Sequence, residues 1–169
     1  MRDAQNIIKH FQAMGGREVC SSREVGKGTC VYVVTVGNTI LAVGEGSTAR
    51  VKSLMPGLTC KKHTKALAVS LWAYAADIMP RFFVLNVKTK DSRRAKSKAK
   101  GIEKQLHQTF GSGVTKEEVL DVATRLGLVE KYGVALLMCC DDGDCYRLMV
   151  KYTDINKELG SYYSKGRNT

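Results

Sequence analysis

The chain has 169 residues, enough for one well-buried core and too few for two large ones. Its apolar content of 44% argues against wholesale disorder, and a formal charge of +11 points to a polyanionic partner, nucleic acid before acidic membrane. No window approaches a membrane span, and MRDAQNIIKHFQAMGG lacks an apolar core of secretory length. Cys20, Cys30, Cys60, Cys139, Cys140 and Cys145 form no CxxC pair, so they read as reduced thiols of a cytoplasmic protein rather than a disulfide framework or a zinc site.

Residues 3–14 are predicted to form an amphipathic helix capped by Asp3, with Ile7, Ile8, Phe11 and Met14 on one side and Gly15-Gly16 as its stop. Residues 17–28 are polar and read as loop, with at most a short edge strand. From Cys30 the β-branched run Val31, Val33, Val34, Val36 predicts a strand, and Gly37-Asn38 a tight hairpin turn. A second strand, Ile40-Leu41-Ala42-Val43, is expected to end in a flexible corner at Gly44-Glu45-Gly46. Ser47 or Thr48 can then cap a short helix bearing Arg50 and Lys52, halted by Met55-Pro56-Gly57.

His63 to Met79 carries Leu67, Leu71, Trp72, Ala75 and Ile78 at helical spacing, with Lys61, Lys62 and Lys65 clustered at its start. Cations there oppose the helix macrodipole, so they either face phosphates or form a solvated polar end. After Pro80, residues 81–87 predict a third strand. The next stretch sets Lys88, Lys90, Arg93, Arg94, Lys96, Lys98 and Lys100 against a single acid, Asp91. Such a run repels itself unless a polyanion lies nearby. Ala95 and Ala99 allow it to be helical and to continue to Phe110, with Ile102, Leu106 and Phe110 on one face and Glu103 and His107 in a stripe beside it. Gly111-Ser112-Gly113 reads as a stop, Thr115 to Glu118 as a capping box, and residues 134–140 and 145–152 as two strands about an Asp-Gly turn. A short helix from about Asp154 and a basic tail close the chain.

Hairpin, basic helix, buried helix, third strand and glutamate-bearing helix, in that order, resemble the GIY-YIG nuclease family over roughly Cys30 to Gly113. Val31-Tyr32-Val33 stands for the first motif. Ala42-Val43-Gly44 stands for the second, keeping its glycine and losing its tyrosine. The family's basic helix residue corresponds to Arg50, or to Lys52 by offset from Gly44. Its metal-binding glutamate, followed by apolar residues three and seven positions on, corresponds to Glu103 with Leu106 and Phe110. The resemblance implies an α+β fold with a three-stranded antiparallel sheet flanked by helices. Residues 1–28 would form an N-terminal helix and loop, 29–113 the nuclease core, and 114–169 a helix-and-hairpin extension packed on it.

It also implies a metal-dependent DNA endonuclease, restriction-like or homing-like, in a bacterial or phage-infected cell. Tyr32 would take a proton from water, and Glu103 would hold one Mg2+ or Mn2+. The chemistry agrees: phosphodiester hydrolysis needs a deprotonated attacker and neutralised charge on phosphorus. A hard divalent ion on a carboxylate and a two-pronged guanidinium such as Arg50 supply the second need. Phenol is a demanding base at neutral pH unless a cation depresses its pKa, and Glu45 beside it would act the other way unless it were itself base or metal ligand. DNA would run over Lys61, Lys62, Lys65 and the Lys88–Lys100 stretch. One such site cuts one strand, so a homodimer is one route to a double-strand break.

Each residue also has an ordinary structural reading: Tyr32 in the core, Arg50 an exposed helix charge, Glu103 paired with Lys100 or Lys104, and His107 a solvated helix histidine rather than a ligand or relay. The rival functions are a DNA-binding protein that keeps the fold without turnover, which the loss at Ala42 suggests, and a basic RNA-binding protein.

Overall fold

The computed structural model describes residues 3–55 and 78–127, with Val69, Trp72 and Ala76. Contacts divide the chain into two compact units, Met1–Met55 with Pro80–Gly113, and Pro56–Met79 with Val114–Thr169. Val69, Trp72 and Ala76 are helical. The rest of the helix expected before Ile78, with Lys61, Lys62 and Lys65, lies outside the described residues, as do the two late strands, the last helix and the tail.

The first unit is built on an antiparallel sheet of β1 (Arg17–Val19), β2 (Thr29–Val36), β3 (Thr39–Ser47) and β4 (Arg81–Asn86), in the order β1-β4-β2-β3. The expected sheet had three strands; it has four. The addition is β1, drawn from the stretch read chiefly as loop, and it closes the free side of β4 by pairing Arg17 with Val84 and Val19 with Phe82. β3 is also longer than expected. Gly44-Glu45-Gly46 continues the ladder, with Gly44 opposite Tyr32 and Ser47 opposite Thr29, so the corner falls at the start of α2 (Thr48–Leu54).

Helix α1 (Ala4–Ala13) starts at Asp3, whose carboxylate accepts from the Gln5 amide at 3.0 Å. The Ala4 amide donates to both the side-chain and backbone oxygens of Asn38 (3.2 and 3.3 Å), anchoring the helix to the hairpin turn. Ile7, Ile8 and Phe11 then pack with Val31, Val33, Val43 and Phe83 of the sheet. Burial of each such side chain contributes about 1.5–3 kcal/mol. The N-terminal segment is therefore part of the core unit rather than an appendage to it.

Helix α3 (Ser92–Phe110) packs on the same face through Ala95, Ala99 and Leu106, with Ile102 and Phe110 partly buried. Asp91 caps it, accepting from the Arg93 amide at 2.9 Å. The small alanines explain how so cationic a segment can seat on a sheet: the helix rests on methyl groups, while Lys88, Lys90, Arg93, Arg94, Lys96, Lys98 and Lys100 are all exposed. In the second unit, α4 (Lys116–Arg125) has the expected capping box. Thr115 Oγ1 accepts from the Glu118 amide at 3.2 Å, and Glu118 Oε2 accepts from the Thr115 amide at 3.1 Å. Among the described residues no helix is long and apolar enough to cross a membrane.

Candidate active site

Strand alternation puts Val31 and Val33 in the core beneath α1 and α3, and therefore turns Tyr32 to the opposite face. Its ring does not stand upright there. It lies across the neighbouring strand, over Gly44: a Cβ at that position would sit 2.6 Å from Tyr32 Cζ and closer still to the phenol oxygen. Glycine at 44 is thus needed for space, and the hydroxyl is carried toward β3, the edge strand. Tyr32 is 2% exposed.

Helix α3 approaches that edge from the other face. His107 Nε2 lies 2.8 Å from the Val43 carbonyl oxygen. A carbonyl only accepts, so Nε2 carries the proton and donates. This bond fixes the C-terminal half of α3 to β3. Glu103, one turn earlier, has Oε1 3.6 Å from the same nitrogen, within ion-pair range and too long for a hydrogen bond. Beyond α3 the chain returns to the strand, where Gly113 bridges to Ala42. A Cβ on Gly113, whose φ is +102°, would stand 2.6 Å from the Leu41 carbonyl carbon, so only glycine allows this approach. Ala42 is completely buried.

An open cleft of about 490 Å³ is walled by Glu45 from β3 and by Lys100, Glu103, Lys104, His107 and Gln108 from α3. Neither Tyr32 nor Arg50 forms part of the wall. Arg50 is fixed from α2, its Nη1 donating to the Glu45 carbonyl at 3.2 Å. Charge nevertheless links the groups. Burial pushes the Tyr32 phenol up to about 12; Arg50 opposes this, while Glu103, Cys30 and Glu45 add to it. Burial and then Glu45 push the Cys30 thiol up to about 11. The cation expected to ease ionisation of Tyr32 is present in Arg50, but dehydration and the carboxylates outweigh it. Tyr32 is held as a neutral phenol, a hydrogen-bond donor at physiological pH.

Arg50, Glu103 and Glu45 therefore each act electrostatically on Tyr32, whose ring lies over Gly44 on the face of the sheet opposite α3. His107 sits beside Glu103, and its Nε2 is committed to the backbone. Lys52, half-buried on α2, is not among the charges acting on Tyr32. Among the described residues no three His, Cys, Asp or Glu side chains are grouped as for a metal. A hard ion of the magnesium type needs only one or two carboxylates, completed by water and phosphate oxygens, and Glu103 with Glu45 on one open cleft fits that requirement. The sequence did not single out Lys104 and Gln108 for the site, although their spacing of four and eight residues from Lys100 was a usable signal. Gly113 reads in the sequence only as part of a helix stop; its approach to β3 gave no signal, because the partner is the backbone of Ala42, far earlier in the chain. Comparison with protein-family models, curated proteins and solved structures found no match.

Proposed function

We propose that the first unit is a GIY-YIG-like, metal-dependent DNA endonuclease. The observation that carries this is the electrostatic convergence of Arg50, Glu103 and Glu45 on one buried phenol, beside a cleft on a strongly cationic helix. The guanidinium of Arg50 would bind phosphate oxygens. Glu103 would hold a divalent ion, which when bound supplies positive charge to the phosphoryl group. For Tyr32, kept protonated and 2% exposed outside the cleft wall, to orient the attacking water or a phosphate oxygen by donating a hydrogen bond, its hydroxyl would have to be uncovered at the β3 edge when substrate binds. Glu45 is the carboxylate available to receive the proton that the water loses as its oxygen bonds to phosphorus and the P–O bond to the leaving sugar breaks. The leaving oxygen is protonated from solvent.

Supercoiled plasmid with magnesium or manganese tests the assignment. The wild type should nick it, Glu103→Ala should lose at least about 10²-fold in rate, and Tyr32→Phe should fall in the same direction. Equal nicking by all three proteins would overturn it. A second reading, a DNA-binding protein without turnover, is favoured by the methyl group at Ala42 and by the firmly protonated Tyr32. Its signature is intact plasmid together with tight, salt-sensitive binding. An RNA-binding role would instead show RNA outcompeting DNA and indifference to Glu103→Ala.

A further inference from the structure

The seven cations from Lys88 to Lys100 are all exposed, so exposure alone does not say which of them meet DNA. Helical geometry does. At 3.6 residues per turn, Lys96 and Lys100 lie within about 60° of Glu103 around the axis of α3, and Arg93 within about 80°. Arg94 and Lys98 lie about 140–180° away. The buried alanines at 95 and 99 fall between the two sets, so these sets flank opposite sides of the packed face. Only one set leads to the cleft. Lys100 and Lys104 are already in its wall, and Lys96 and Arg93 continue the line one and two turns toward the helix N-terminus. Nothing acidic interrupts it between Arg93 and Lys100.

We infer that a single ridge, Arg93-Lys96-Lys100-Lys104, guides the DNA phosphate backbone into the Glu103 cleft, and that Arg94 and Lys98 take no part. The inference rests on the nuclease proposal for its partner. Arg93 to Glu103 spans about 15 Å of helix axis, matching the axial rise of about four nucleotides of one strand at about 3.4 Å each. Three or four cations on that length suit consecutive phosphates of one strand. A merely solvated cationic face would treat the two sets alike.

The test compares two charge-matched double variants of the full chain, K96Q/K100Q and R94Q/K98Q, binding a short duplex over a range of salt concentrations. Each phosphate contact contributes about 0.9 to the slope of log K against log salt. K96Q/K100Q should therefore reduce the slope by about 2, and R94Q/K98Q by less than about 0.5. Circular dichroism melts identify any variant that fails to fold, and the single variants K96Q and R94Q then replace it, with half the expected change. Equal reductions overturn the ridge, as does a larger effect of R94Q/K98Q. If the wild type binds and nicks while neither pair moves the slope, the ridge is wrong and the nuclease assignment stands. If the wild type shows no salt-dependent binding to DNA, both fall together.

Discussion

At the β1 edge of the sheet, Arg81 donates to both carboxylate oxygens of Glu18, at 2.9 and 2.8 Å, and its guanidinium lies 5.1 Å from the centre of the Phe83 ring. At the β3 edge, two carboxylates and a guanidinium act on a phenol that is itself buried, and the open cleft beside them is walled by further cations. One edge matches each charge with a local opposite across neighbouring strands and presents a finished surface. The other concentrates ionisable groups around a dehydrated one and opens a cleft next to them. Paired charge at an exposed strand edge is what a sheet needs to avoid unwanted pairing. Burial first, and the nearby carboxylates after it, raise the cost of ionising that hydroxyl, while Arg50 lowers it.

The contrast predicts opposite pH sensitivities. Tyr32 and Cys30 have folded-state pKa values raised to about 12 and about 11, above ordinary values of 10.0 and 9.0. The unfolded chain therefore loses those protons first, and stability present below pH 9 should decline as pH rises, from Cys30 and then from Tyr32. The Tyr32 part is on the order of 3 kcal/mol. Urea unfolding of wild type against Tyr32→Phe across the alkaline range checks it: the variant should lose less stability with rising pH, and parallel curves would mean that the phenol is not buried as described. Next in size is Gly44→Ala, whose methyl group must displace a rigid ring. It should cost about 1–3 kcal/mol in the same measurement, and an unchanged midpoint would remove the close approach that steers Tyr32 to the edge.

The smallest effect belongs to the β1 edge. Arg81 holds the Glu18 carboxyl below its usual range, chiefly by hydrogen bonding. Its stabilisation is fully present above the unfolded carboxylate pKa and is lost as pH falls through the folded value. With side chains 42% and 37% exposed, solvent screens the pair. Glu18→Gln should therefore cost only about 0.2–1 kcal/mol near neutrality, and the gap between variant and wild type should close in acid. A larger cost would show that this edge is more than a capped boundary.

Local signals carried a good part of the fold. Asp3 and Thr115 mark helix starts because a side-chain oxygen accepting a nearby amide is a contact within three residues; Asp91 caps α3 in the same way, although in the sequence it reads only as the lone acid of a cationic run. Gly37-Asn38 marks the hairpin, and the β-branched run before it marks β2, which is buried along nearly its whole length. β1 was faint because three polar-flanked residues have no periodicity to read, and their partner strand lies more than sixty residues away. The length of β3 was underread for a related reason: Gly44-Glu45-Gly46 is locally a corner, and it is held extended by its ladder with Cys30, Val31 and Tyr32.

The same division runs through the candidate site. Tyr32, Arg50, Glu103 and Glu45 are singled out by the resemblance to a nuclease family, and the cationic face of α3 by its run of lysines and arginines. That the phenol lies over Gly44, that His107 spends its proton on the Val43 carbonyl, and that Tyr32 stays protonated depended on which strand forms the edge and how the helix crosses it. Residue type and spacing set what each group can do chemically. Dehydration and proximity, which determine what it does, are created only when segments far apart in the chain close over one another.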